Sequence, residues 1–355
     1  MRHPAITGDY ISSAATRFAE ERLYTFLRRL DYVCNPSGAN HSAATTWFHA
    51  MPDFSPSLNE ARIREGLPVG GILGWGTPDT HFMPGILPSN GCGILVAKVR
   101  ALPRIQELVE SVAGLAEKPP LVDSRPVIWD AGRKNHFLNF YRDDEGTYYI
   151  VLHCSAPELR DTLQSLTKTS YDTPHGSISL FEDGSAEGFR KFAKQAEEFG
   201  NKKREIICMA IASDANIIFN RPHMELISDR CFAIGCYASS LPIADVPIMV
   251  APGQPALLVD CSNVIETPQG PIYAVPHGTG NAMTRPGRIS YVERHSTFVV
   301  ERRETAVYDV ASQVFDSFPT LDQVGSHFAK WTDSPDARLR QLQPIIELKL
   351  QKGKF

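Results

Sequence analysis

Pro276-His277-Gly278-Thr279-Gly280-Asn281 sets one histidine between an apolar segment, Pro271 to Pro276, and a glycine-rich turn. Glycine admits positive φ and lets backbone approach a ligand closely. Such a turn gathers backbone N–H groups into a concavity suited to phosphate. An imidazole at its mouth can act as base, metal ligand or nucleophile toward phosphorus. A turn without chemistry is the alternative, because glycine is the usual turn residue. Four more residues stand in a polar or glycine-rich break beside an apolar segment. Cys92 lies in Ser89-Asn90-Gly91-Cys92-Gly93, and His136 between Asn135 and Phe137-Leu138. His153 ends Tyr148 to Leu152, and His223 lies in Arg221-Pro222-His223-Met224-Glu225. A thiolate and imidazoles suit Zn²⁺ or another first-row metal, and residues at strand ends can meet on one rim. None of the four has CxxC or HExxH spacing, and a cysteine is usually a buried, inert side chain. His81, in Pro78-Asp79-Thr80-His81, is a further candidate.

These residues need elements to hold them. The spacing predicts a helix capped by Ser12-Ser13 and running to about Leu30, with Phe18, Leu23, Phe26, Leu27 and Leu30 on its apolar face. Residues 34–100 read as short strands separated by turns. Pro103 opens a helix carrying Ile105, Leu108, Val109, Val112 and Leu115, which Pro119-Pro120 ends. Tyr148 to His153 is aromatic and β-branched, a strand. Phe189, Phe192, Ala193, Ala196 and Phe199 mark another helix face. Periodicity leaves 205–219 open between strand and buried helix. It predicts a helix through Val307, Val310, Ala311, Val314, Phe315 and Phe318, and another over 321–331. The expected architecture is a mixed α/β fold, 1–355 as a single domain, with functional loops.

Composition bounds the function. The chain has 355 residues, 43% hydrophobic and 21% charged, which is ordinary for a globular protein with core enough for a buried site. A formal charge of −4 argues against coating nucleic acid by bulk charge and leaves room for a local basic groove. The seven cysteines, Cys34, Cys92, Cys154, Cys208, Cys231, Cys236 and Cys261, form no disulfide framework, so a reducing cytoplasm is expected. The N-terminus lacks a signal pattern, and Val246 to Val259 is broken by Pro247, Pro252, Gly253 and Pro255, so no membrane span is expected. The GxxxxGKS/T, GxSxG and GxGxxG motifs are missing.

The order of the pieces adds more than any one of them. Met51-Pro52-Asp53 is followed by Gly66-Leu-Pro-Val-Gly-Gly-Ile-Leu73, Pro84-Gly85 and Gly91-Cys92-Gly93. Then come Gly132 to Asn139, Val151-Leu-His153, Pro222-His223, Gly253 to Leu258, His277 to Gly280, Leu321 to Val324, Leu342-Gln-Pro344 and Lys349. From about residue 48 to 350 this series resembles the RtcB family of RNA-splicing ligases. The resemblance implies a family-specific mixed α/β domain, monomeric and cytoplasmic. It implies joining of an RNA 3′-phosphate or 2′,3′-cyclic phosphate to a 5′-hydroxyl, with RNA ends as partners, GTP, and one or two Mn²⁺. The route passes through a guanylylated histidine. Carried over, Cys92, His136, His153 and His223 match metal ligands. Asn135, with His136, Phe137 and Leu138 around it, matches a guanylate-contacting segment. His277 matches the nucleophile, and Gly278, Thr279 and Gly280 match the turn around the guanylate. Lys349 matches the lysine near the guanine.

The chain also departs from that pattern. Ser89 stands where the family carries an aspartate ligand, and Ser55 where a histidine follows Met-Pro-Asp. Asn281 replaces an arginine after the glycine turn, and Cys154-Ser-Ala-Pro157 replaces a serine-glycine-serine-arginine stretch. The family's HRKGAT segment has no counterpart in Cys231 to Ser240, and its PGSMG segment reads Val259-Asp-Cys-Ser-Asn263. More of the metal site is kept than of the phosphate contacts. The readings are a divergent RNA ligase, a metal-binding relative without ligation that recognises RNA ends or regulates, and a metal-dependent phosphoesterase.

Overall fold

The computed structural model describes residues 5–10, 14–35, 46–57, 59–131, 136–250, 254–261, 264–278, 284–285, 288–294, 298–305, 309–310 and 339–350, with backbone alone for 14–15, 60, 284–310 and 349–350. Strands build the centre, and period-two alternation decides which side of each strand meets which core. In Gly93–Val99, Ile94 and Val96 enter one core while Leu95 and Ala97 enter another. In Val69–Gly74, Ile72 shares the core of Ile94, and Leu73 faces away.

That alternation produces layers. A nine-stranded sheet runs Asn216–Pro222, Gly93–Val99, Tyr148–Cys154, Phe137–Arg142, Leu339–Leu350, Ala256–Cys261, Ile243–Ile248, with the hairpin Arg288–Arg294 and Phe298–Thr305 joined to Leu339–Leu350. A five-stranded sheet runs Ile6–Gly8, Trp47–Ser55, Val69–Gly74, Cys231–Ile234, Met224–Ser228. The two sheets share the core that holds Met51, Ile72, Ile94, Val96, Val151 and Ala233. On the outer face of the larger sheet lie the helices Ile105–Glu117 and Asp183–Ile211, through Leu108, Val112, Phe192 and Phe199. On the outer face of the smaller sheet lies the helix Ala14–Cys34, through Leu23, Phe26, Leu27 and Leu30. The order is helix, sheet, sheet, helix, a mixed α/β architecture. No helix among the described residues is long and apolar enough to cross a membrane.

Several expectations need adjusting. The first helix ends at Cys34, a turn later than the spacing suggests. The helix around Phe189 to Phe199 runs on to Ile211, and Asn216–Pro222 is a strand, so 205–219 holds both states. The short helix Glu60–Glu65 interrupts what reads as strands and turns. Of the helix expected through 307–318, Asp309–Val310 is a short strand paired with Thr284–Arg285. The rest of it, the helix over 321–331 and the Ser12-Ser13 cap lie outside the described residues.

Glu225 provides a test of the packing. It is buried on the edge strand Met224–Ser228, where its Oε1 accepts from the Ala238 N–H and lies 3.8 Å from Arg221. Burial pushes its pKa up to about 8 against the opposing pull of Arg221. Between the ordinary glutamate range and pH 8 the folded chain holds a proton that the unfolded chain releases, so stability falls as pH rises through that window. Glu225→Gln should match the wild type near pH 5 and be more stable at pH 8 by on the order of a few kcal/mol, read by urea denaturation. Equal losses in both proteins would exclude this role.

Candidate metal centre

The site forms where the chain passes between sheets. At His223 it leaves the edge of the larger sheet, Asn216–Pro222, and enters the edge of the smaller one, Met224–Ser228. The corner is tied by backbone: His223 N–H donates to Cys92 O, and the Gly235 and Cys236 N–H groups both donate to His223 O. A second crossing, Gly235, leads to Cys236–Ser239, which pairs with Gly270–Pro276 and so delivers His277. Met249 N–H donates to His277 O, and His277 N–H donates to Gly235 O. Cys92 and His136 sit just before the strands Gly93–Val99 and Phe137–Arg142, and His153 next to last in Tyr148–Cys154.

Five residues spread over the chain therefore meet. Cys92 Sγ lies 3.1 Å from His153 Nε2, and His153 Nε2 lies 3.0 Å from His223 Nε2. Cys92, His153 and His223 are buried, and their donor atoms fall within 4.8 Å of one another, a set that can hold a metal ion. Tetrahedral coordination by one thiolate and imidazoles would set such atoms roughly 3.3–3.6 Å apart, so a few tenths of an ångström of spreading admits an ion. Lone pairs aimed at one point are costly without a cation or proton between them, which is the chemical reason the set fits a metal. His136 approaches from another side, Nε2 3.4 Å from Cys92 Sγ, with its ring 4.9 Å from that of His153. The His277 ring stacks on His223, centroids 4.5 Å apart and planes at 23°.

Electrostatics divide the histidines. Burial keeps His153 neutral and lowers His223 to about 3. His136 is also buried, but the Cys92 thiolate and Asp130 outweigh that and raise it to about 10. Burial alone would raise Cys92; the charges and hydrogen bonds of His153, His223 and His136 bring it well below the usual thiol value.

Two carboxylates fix two of the rings. His277 Nδ1–H donates to Asp53 Oδ2 at 2.8 Å. Asp53 is fully buried and the His277 side chain is 20% exposed, so the pair has one end at the rim. Burial raises Asp53 while His277 opposes it; Asp53 in turn raises His277 beyond what burial takes away. Two glycines make the approach possible. A Cβ on Gly70 would sit 2.5 Å from the Asp53 carbonyl carbon, and one on Gly235 would sit 3.1 Å from His277 Cε1; both have positive φ. On the other side, His136 Nδ1 is 2.9 Å from Asp130 Oδ2, which also accepts from Ser155 N–H and Oγ–H. Lys203, fully buried, donates to Asp130 Oδ1, Ile128 O and Ser155 O and pairs with Glu158. Asp130 is thereby held well below the usual carboxylate range although burial opposes this. A histidine whose second nitrogen is held by a carboxylate presents the first in a fixed direction, and losing such a partner typically costs 10–100-fold in metal affinity. Asp130→Asn should weaken metal binding by about that factor in a chelator competition. Unchanged affinity would make Asp130 purely structural.

The remaining expected residues are distributed as follows. Phe137 packs its ring edge against His153, centroids 5.3 Å apart. Leu138 is turned to the other face of the sheet and is fully buried in the core, so its side chain does not line the rim. Gly278 donates its N–H to Asp53 and bridges Met249. Asn135, Thr279 and Gly280 lie outside the described residues, as does the Lys349 side chain; the Lys349 backbone pairs with Val299. Ser89 is buried near the cluster's turn. His81 stands elsewhere, lining a polar cavity of about 490 Å³ with Arg190 and Arg230. The sequence assigned no role to Asp53, Asp130 or Lys203. Asp53 lay in a motif, Met51-Pro52-Asp53, and Asp130 carried no signal beyond being an acid six residues before a histidine. No family model matches the chain, and no curated protein matches it.

Proposed function

We propose that this protein is a divergent RNA ligase of the RtcB type, joining an RNA 3′-phosphate or 2′,3′-cyclic phosphate to a 5′-hydroxyl with GTP and Mn²⁺. The observation that carries this reading is the meeting of Cys92, His136, His153, His223 and His277, 185 positions from first to last by number, at one corner of two sheets. Each stands in a polar or glycine-rich break of the sequence, and the order of the motifs sets all five together. A bare metal site has no use for a fourth histidine backed by a buried carboxylate; a nucleophile does.

The chemistry follows from the protonation pattern. Asp53 holds the proton on His277 Nδ1, which leaves Nε2 with its lone pair in the neutral ring. Nε2 is then the atom to attack the α-phosphorus of GTP, forming an N–P bond as the bond to pyrophosphate breaks. The RNA 3′-phosphate takes the guanylate from His277, and the 5′-hydroxyl displaces GMP. Cys92, His153 and His223, with His136 beside them, would hold the Mn²⁺; bound there, it would neutralise phosphate charge. His136 must give up its proton to serve as a ligand, and His277 reacts only when neutral, so activity should fall as pH drops.

Incubation with Mn²⁺, GTP, a 3′-phosphate RNA and a 5′-hydroxyl RNA tests the proposal. The expected product is a joined strand that keeps the phosphate at the junction. Release of inorganic phosphate without joining would replace this reading with a phosphoesterase. A second reading, metal binding without ligation, is favoured by one observation: Ser89, not a carboxylate, is buried at the cysteine turn. It predicts metal retention with neither product.

A further inference from the structure

We propose that the polar cavity beside His81 is a second ligand site, and that it takes the phosphate group of a small, polar phosphate ester such as a sugar phosphate. The site stands whether or not the metal centre joins RNA. The strand Met224–Ser228 starts next to His223 and ends at the cavity, so its five residues put the two sites about 17 Å apart. Three segments enclose a volume of about 490 Å³. Arg190 comes from the helix Asp183–Ile211, Ser228 and Arg230 from the turn between Met224–Ser228 and Cys231–Ile234, and Thr80 and His81 from the loop after Val69–Gly74. That loop and that turn are tied together. Trp75 N–H donates to Arg230 O, and Arg230 Nη1 donates to Gly76 O. Gly76 has a positive φ, and a Cβ there would collide with Thr80 Oγ1, which accepts from Thr77 N–H.

The lining offers more donors than the protein uses. Arg190 Nε is buried without a hydrogen bond, and the guanidinium is paired only loosely, 3.5 Å from Asp229 Oδ1 and 3.8 Å from Glu187 Oε2. The Asp229 side chain is 80% exposed, so water screens that pair and little is lost when Arg190 turns to another anion. Arg230 gives one nitrogen to Gly76 O and has no ion pair among the described residues. His81 has no hydrogen bond among the described residues. The Thr80 and Ser228 hydroxyls accept from the Thr77 and Arg230 N–H groups and keep their own hydrogens to give. A guanidinium has five donors and no acceptor. Two of them, two hydroxyls and an imidazole around one space call for a ligand that is anionic and rich in acceptors. A phosphate fits best, because its tetrahedral oxygens can meet two guanidinium forks from different sides. The volume suits a small molecule rather than a bare ion. Pro78 is the apolar side chain in the lining, and there is no aromatic ring to stack a base, so the rest of the ligand is polar.

The test is calorimetric titration of the full chain with ribose 5-phosphate, inorganic phosphate and ribose. Ribose 5-phosphate should bind with a Kd of about 0.1–1 mM, inorganic phosphate severalfold more weakly, and ribose not at all. Arg190→Gln should weaken the binding of ribose 5-phosphate by about ten- to a hundredfold. Asp229→Asn removes the opposing charge and should strengthen it severalfold, a gain that a misfolded chain could not give. Binding that is missing in the wild type overturns the proposal. So does binding of equal strength in Arg190→Gln, which would put the phosphate elsewhere, the metal centre included. Equal affinity for ribose 5-phosphate and inorganic phosphate would overturn the ester and leave a site for the free ion.

Discussion

Cys92→Ala should leave the protein folded and almost unable to hold its metal. The sulfur is the meeting point of the site, 3.1 Å from His153 Nε2 and 3.4 Å from His136 Nε2, and it is the one anionic donor in the cluster. Binding energies of roughly 10–16 kcal/mol for four-ligand thiolate and imidazole sites come to about 2.5–4 kcal/mol per ligand, so affinity should fall by roughly a hundred- to a thousandfold. A smaller change is expected in stability, because alanine fills most of a cysteine's volume. Metal content of purified wild type and variant, followed by titration against a chelator, gives the answer. Equal metal content in both would remove every metal-based reading of this chain.

Asp53→Asn should leave the metal in place and stop the chemistry. Asparagine is the same shape, but its amide donates where the carboxylate accepted. A donor facing His277 Nδ1 forces the ring proton onto Nε2 and removes the lone pair the reaction needs. The same exchange beside a catalytic histidine in serine proteases costs about 10⁴ in kcat, by the same change of tautomer. Here, guanylate formation should drop by roughly two to four orders of magnitude, with metal affinity unchanged within about a factor of two. A variant as fast as the wild type would mean that His277 does not react through Nε2.

The contrast between Cys92 and Asp53 shows where the sequence was informative. Cysteine and histidine in a glycine-rich or polar break are rare enough to notice, and their order along the chain narrowed the choice to five residues that do meet. Aromatic and β-branched composition placed Tyr148 to His153 well, because such side chains suit a strand buried on both faces, with Tyr149 and Val151 in one core and Ile150 and Leu152 in the other. Residues 205–219 could not be resolved, because the helix there ends at Ile211 without a proline or a glycine and a strand begins five residues later. Asp130 and Lys203 were illegible for a different reason. An acid and a base 73 positions apart look like surface charge until the fold buries both beside His136.

The central claim is that His277 is the acceptor of a guanylate at a metal centre, and one measurement addresses it. The protein is incubated with Mn²⁺ and GTP, cleaved under alkaline conditions that preserve a phosphoramidate, and its peptides are weighed. The account predicts an acid-labile guanylate on the peptide containing His277, lost in His277→Ala and in samples stripped of metal. A metal-replete wild type with no guanylate, or with the guanylate on another residue, would contradict it.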